Sequence, residues 1–109
     1  QLISTEQFAA MKPGAFLVNV SRGPVVDTSA LIEASKSGKL GGAVLDVFDE
    51  EPLPADSPLW DAPNVVITPN ISGTSKRSMD SLVELFVANL SRYIKGQELF
   101  NLIDPEHGY

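Results

Sequence analysis

The sequence predicts an α/β fold: the second half of a doubly wound parallel sheet plus a long C-terminal helix. Apolar runs without polar alternation occur at 15–20, 42–47 and 65–68, the pattern of short strands buried on both faces. Helical patterns alternate with these runs, as in a parallel sheet built from crossover units. Three strands alone leave an open edge, so a larger sheet is expected. The chain of 109 residues opens at Gln1 with no Met and no signal-peptide pattern, which fits the same expectation of a piece cut from something longer.

Each element has a local cause. Ser4 and Gln7 have capping-box spacing, which predicts a short helix with Phe8 and Met11 on one side. Lys12-Pro13-Gly14 ends it and turns the chain into the first strand, 15–20. Ser21-Arg22-Gly23-Pro24 breaks that strand. Asp27 or Thr28 caps a second helix through about Ser37, with Leu31, Ile32 and Ala34 inward and Gly38 as a left-handed stop. The second strand is 42–47. An acidic loop from Asp49 to Pro63 follows, stiffened by Pro52, Pro54, Pro58 and Pro63. The third strand, 65–68, is closed by Pro69. From about Thr74 to Lys95, apolar residues at 79, 82, 83, 86, 87, 90, 93 and 94 keep a 3.6-residue period. Gly96 ends this helix, and the tail to Tyr109 is expected to lie over a neighbouring surface. The expected division is 1–73, the C-terminal half of a nucleotide-binding sheet domain, and 74–109, an exit helix with its tail.

Composition narrows the function. Apolar residues make up 43% of the chain and charged residues 20%, which suits a globular protein rather than a disordered one. A compact monomer of this mass would expose roughly 5,900 Å² and bury about 65% of its unfolded surface; for half a domain that burial is an overestimate. Eight Lys+Arg against fourteen Asp+Glu give a net charge of −6, which argues against nucleic acid or an anionic membrane as partner. With no Cys and one His, no metal site is expected. No apolar run is long enough to span a bilayer, and a cytoplasmic location is expected.

In an open parallel sheet, ligands bind outside the carboxyl ends of the strands. The first predicted strand leads into Asn19-Val20-Ser21-Arg22-Gly23. The second ends at Asp46, with Glu51 five residues on, and the third leads into Asn70-Ile71-Ser72-Gly73. Each residue has a plain structural reading as well: a surface Arg, a solvated Glu in an acidic loop, an Asp capping a turn, a turn Asn after a proline. Their shared place at strand ends favours a functional rim.

Three segments carry a resemblance. They are Lys12-Pro13-Gly14-Ala15-x-Leu17-Val18-Asn19-x-Ser21-Arg22-Gly23-x-Val25-Val26-Asp27, Gly42-Ala43-x-Leu45-Asp46-Val47-Phe48-x-x-Glu51-Pro52-Leu53, and Pro63-Asn64-Val65-x-Ile67-Thr68-Pro69. In this order they resemble the NAD(P)-dependent D-isomer-specific 2-hydroxyacid dehydrogenases, over residues 2 to about 95. The proline-rich loop and the terminal Gly-Tyr look most like the glyoxylate/hydroxypyruvate reductase branch. The resemblance implies a Rossmann-like sheet, NAD or NADP as cofactor, a small 2-oxo or 2-hydroxy acid as substrate, and a homodimer or higher association.

It also implies roles. Arg22 matches the Arg that binds the substrate carboxylate and carbonyl, a task suited to a planar charged fork. Asp46 matches the Asp that contacts the nicotinamide carboxamide. Glu51 matches the Glu that orients a His and raises its pKa, that His being the general acid–base. Val20, Ser21, Arg22, Asp46, Asn70, Ile71, Ser72 and Gly73 are the implied nicotinamide-end contacts. The family reads Thr-Pro-His where this chain reads Thr68-Pro69-Asn70. An amide can hydrogen-bond a carbonyl but cannot exchange a proton with it near neutral pH. Asn70 is thus compatible with an engineered inactivating change, with a member using another proton donor, or with a member that binds dinucleotide without turnover. His107, the other candidate donor, reads more simply as a surface residue near the C-terminus. No Gly-x-Gly-x-x-Gly turn occurs, so these residues alone are expected neither to bind NAD tightly nor to catalyse.

Overall fold

The computed structural model describes residues 1–75 and 77–106. They fall into two compact units, Gln1–Ser72 and the residues from Gly73 onward.

The first unit runs α1 (Thr5–Ala10), β1 (Ala15–Asn19), a 3-10 turn (Gly23–Val25), α2 (Thr28–Lys36), β2 (Leu40–Leu45) and β3 (Val65–Ile67). The strands form one parallel sheet in the order β1-β2-β3, as an α/β half-sheet requires. At the start of α1, the side-chain oxygen of Gln7 accepts from the Ser4 amide at 2.9 Å and its hydroxyl at 2.7 Å. Asp27 caps α2 by accepting from the Ala30 amide at 2.9 Å, and Gly38 takes a φ of 73° just past its end.

Register divides the sheet into two unlike faces. Leu17, Ala43 and Val65 align across it, as do Asn19, Leu45 and Ile67. These rows meet the core, where Leu31, Leu40, Ala43 and Leu45 are buried with Phe8, Val26 and Leu59. The intervening row is Val18, Val44 and Val66, and here Phe16, Val18 and Val66 are exposed. The strands are therefore not buried on both faces as their composition predicts. The helix that packs on the sheet within this unit, α2, covers one face; α1 packs on α2. Unbroken apolar runs report that both faces want cover, whereas one receives it here.

Strand limits shift for polar reasons. β1 stops at Asn19 and β2 at Leu45, because the side chains of Asn19 and Asp46 turn into the loops beyond. Pairing begins earlier than expected in β2, at Leu40 opposite Ala15. β3 ends at Ile67, although the Thr68 amide still donates to the Leu45 carbonyl at 2.9 Å.

The second unit centres on α3, Ser78–Ile94. It starts later than the period predicts, because the Ser75 and Ser78 hydroxyls bond each other and local backbone, which favours a turn. Gly96, with φ 64°, ends it. None of its residues is buried, and its apolar stripe from Met79 to Ile94 is exposed. The chain beyond turns back on the helix's own polar side rather than over a different surface. Asn89 exchanges two hydrogen bonds with the Phe100 backbone, and the Arg92 guanidinium lies 4.3 Å from the centre of the Phe100 ring. His107 and Tyr109 lie outside the described residues. No described helix is long and apolar enough to cross a membrane.

Candidate active site

Three turns leave the carboxyl ends of the strands, and each is built by a polar residue at its base. Asn19, buried at the end of β1, shapes the first. Its Nδ2 donates to the Arg22 carbonyl at 3.0 Å, and its Oδ1 accepts from the Ser21 hydroxyl at 2.9 Å and the Ser21 amide at 3.2 Å. Arg22 then leaves the turn exposed, with one guanidinium nitrogen donating to the Ser21 carbonyl at 2.8 Å. Gly23 is required for contact rather than flexibility. A Cβ there would fall 2.0 Å from the Phe48 carbonyl carbon, so a side chain would push the first two turns apart.

The second turn carries Glu51. One carboxylate oxygen accepts from the Phe48 amide at 3.0 Å and the other from the Asn70 side-chain nitrogen at 2.8 Å. These bonds, the Phe48 amide foremost, hold its carboxyl below the usual Glu range; partial desolvation opposes them and the Arg22 charge assists. Glu51 is therefore ionised at neutral pH and accepts hydrogen bonds only.

The third turn is anchored by Asp46, which is 1% exposed. One carboxylate oxygen accepts from the Thr68 hydroxyl at 2.5 Å and the Ile71 amide at 3.0 Å, and the other accepts from the Ser72 amide at 2.7 Å. Hydrogen bonds from the Ser72 and Thr68 side chains lead in depressing its pKa far below the ordinary Asp value, against the opposing effect of burial. Asn70 sits inside this bracket with a φ of 52°, a left-handed conformation that Asn tolerates better than most residues.

A cleft of about 520 Å³ opens on this rim, lined by Arg22, Gly23, Phe48, Asp49, Glu51 and Asn70 among others. A second hollow of about 480 Å³, walled by Phe48, Pro52, Leu53, Trp60 and Ile67, shares Glu51 and Asn70 with it. A larger hollow between α1 and α2 contains none of these rim residues. The fold thus brings Arg22, Glu51 and Asn70 to one cleft and ties Asp46 to Ile71 and Ser72 beside it. Val20 and Ser21 occupy the turn after β1 without lining the cleft, and Gly73 belongs to the second unit. Asn19 and Thr68 were not predicted as site residues. The available signal was a polar residue ending an otherwise apolar strand. Among the described residues no cluster could hold a metal ion.

Chemically, the cleft offers a partly free guanidinium, an ionised carboxylate and an amide oriented by that carboxylate. Such a set can bind a small carboxylic acid and hydrogen-bond an oxygen next to it. Known proteins resemble this chain in sequence and fold. Residues 1–72 match the family model described as D-isomer specific 2-hydroxyacid dehydrogenase, NAD binding domain. Glyoxylate/hydroxypyruvate reductase B of Pectobacterium carotovorum is 46% identical over 105 residues, which cover 96% of this chain and 33% of that protein. A D-isomer specific 2-hydroxyacid dehydrogenase from Xanthobacter autotrophicus, solved with NADPH and MES, superposes with a TM-score of 0.87 at 42% identity, over 99% of this chain and 44% of its own. An NADPH-dependent glyoxylate/hydroxypyruvate reductase from Sinorhizobium meliloti, solved with NADP and sulfate, gives a TM-score of 0.87 at 33% identity, over 99% and 35%. The chain spans about a third of the length of the curated relatives it matches. On the family match to the sheet unit that bears this rim, the chain belongs to the D-isomer specific 2-hydroxyacid dehydrogenases, in their NAD-binding domain.

Proposed function

We propose that residues 1–73 supply the reacting end of an NAD(P)-dependent 2-hydroxyacid dehydrogenase that reduces a glyoxylate- or hydroxypyruvate-like 2-oxo acid to a D-2-hydroxy acid, with 74–109 as an exit helix and tail. The observation that carries this reading is the convergence of Arg22, Glu51 and Asn70 on one cleft at the strand ends. The residues present fit the nicotinamide end of the cofactor, because this rim is open and carries unspent donors and acceptors. They include no Gly-x-Gly-x-x-Gly turn for its diphosphate, so these 109 residues by themselves are proposed to be inactive. When bound, NAD(P)H supplies the hydride.

Arg22 holds the substrate carboxylate and polarises the adjacent carbonyl with the guanidinium N–H groups not used on Ser21. Val20, Ser21, Asp46 and the residues Asn70, Ile71, Ser72 and Gly73 are the proposed nicotinamide-end contacts. Glu51 orients Asn70 rather than a His. Neither an ionised Glu51 nor Asn70 can give the product oxygen its proton at neutral pH, so that proton comes from solvent water, and the lack of a positioned general acid costs about 10²–10⁴-fold. The test is oxidation of NAD(P)H by glyoxylate and hydroxypyruvate in the protein that carries this chain. Arg22→Ala should abolish it, and turnover that survives this change would refute the role of Arg22.

The Glu51–Asn70 bond also favours a second reading, a dinucleotide-binding sensor without turnover. Asn70→His should create or raise turnover under the first reading. Tight NADH binding with no such gain would support the second. Homodimerisation or higher association is proposed on the exposed α3 stripe, and light scattering that shows a monomer at high concentration would overturn it.

A further inference from the structure

Asp46 is the one buried ionisable side chain among the described residues. An isolated buried carboxylate is costly, and it persists only where its hydrogen bonds are filled. Its partners are all in this chain. Thr68, Ile71 and Ser72 bracket Asn70 from both sides, and their donors occupy both carboxylate oxygens. Its backbone amide donates to the Asn19 carbonyl at 3.0 Å, and the Asn19 side chain in turn holds the Arg22 carbonyl. Two residues on, the Phe48 amide holds Glu51. All three turns of the rim are thus fastened at or beside this residue.

We propose that Asp46 is a positioning residue: its carboxylate staples the 68–72 turn and thereby holds Asn70, in its left-handed conformation, against Glu51. A backbone kept in a sparsely populated region needs such external fastening, and Glu51 by itself grips only the outer end of the Asn70 side chain. Asp46 acts on the cleft through this turn. Thr68 belongs to the same device, as the hydroxyl donor that fills one oxygen.

The test needs neither substrate nor turnover, so its outcome is independent of the dehydrogenase reading. The 109-residue chain is followed by NMR through the Asn70 side-chain amide signals, the Glu51 titration midpoint and backbone amide exchange. Asp46→Asn keeps the shape but presents an amide to the Ser72 N–H. The Ile71 and Ser72 amides should then exchange about tenfold faster or more. The Asn70 side-chain signals should move, while amides of β1 and α2 keep their protection. The Glu51 midpoint, which the Asp46 charge itself pushes upward, is read in Thr68→Val, where that charge is kept, and should rise toward the ordinary Glu value. If Asp46→Asn does not fold, Thr68→Val removes one donor alone and should shift the same signals in the same direction by less, with Thr68→Ser restoring them. Unchanged Asn70 signals in a folded Asp46→Asn or Thr68→Val chain would overturn the proposal, as would an unmoved Glu51 midpoint in Thr68→Val. So would a uniform loss of protection across β1 and α2 with the Glu51 midpoint unmoved, because that is what a merely structural carboxylate would give.

Discussion

Helices α2 and α3 make an instructive pair. The shorter, α2, buries Ala30, Leu31, Ile32, Ala34 and Ser35, with Leu31 at 1% exposure. The longer, α3, keeps the cleaner helical period yet buries nothing, and Leu82 in the middle of its stripe is 62% exposed. Periodicity is a property of one segment, and it records which face was selected to be covered. Burial is a property of what packs against that face. In α2 the cover is β2, a few residues on in sequence, and α1, which lies before β1. In α3 the tail bonds at Phe100, and that contact lies on the polar side.

Four measurements break or sharpen this contrast. The largest effect is expected for Leu31→Ala. Truncating a fully buried Leu should lower unfolding stability by about 2–5 kcal/mol, read by urea denaturation with Trp60, the single Trp and a first-unit residue, as probe. Acid should act next, and on the same unit. The folded-state pKa values of Asp46 and Glu51 are depressed, so their contribution is complete above the ordinary carboxylate pKa of about 4. It is lost as pH falls below that value. The Trp60 urea midpoint should therefore drop between pH 5 and 3 (roughly the upper part of that window), less steeply in Asp46→Asn; equal slopes would show that Asp46 does not contribute.

A smaller effect, about 1 kcal/mol, is expected for Asp27→Ala, which removes the α2 cap from the Ala30 amide. Thermal unfolding followed by circular dichroism should detect it. The smallest is expected for Leu82→Ala, within about 0.5 kcal/mol for an exposed position in the lone chain. A loss as large as that of Leu31→Ala would mean that the α3 stripe is covered in solution, and it would turn the contrast between the helices into a likeness.

Legibility followed physical range. The capping box at Ser4 and Gln7, the Asp27 cap and the Gly38 stop were readable because each involves residues a few positions apart. That the sheet is parallel was readable because a helix separates β1 from β2 and the long proline-rich loop separates β2 from β3, which exclude tight hairpins; the order β1-β2-β3 was not. The rim residues were readable as a group, since strand ends mark where such sheets bind ligands. What each rim residue touches was not. The Glu51–Asn70 bond spans nineteen positions and the Asp46–Ser72 bond twenty-six. Asn19 and Thr68 gave only the faint signal of a polar residue closing an apolar run.

The sequence by itself determined the half-sheet, its helices, the family and the Asn that stands at position 70, because caps, turns, periods and motifs are written in neighbouring residues. Tertiary structure alone decided that one sheet face and the α3 stripe go uncovered, and that Arg22, Glu51 and Asn70 share a cleft. It also decided that the buried Asp46 spends its carboxylate on the backbone of the 68–72 turn. Those outcomes depend on which distant groups meet and which hydrogen bonds a buried charge must fill, and no local pattern specifies either.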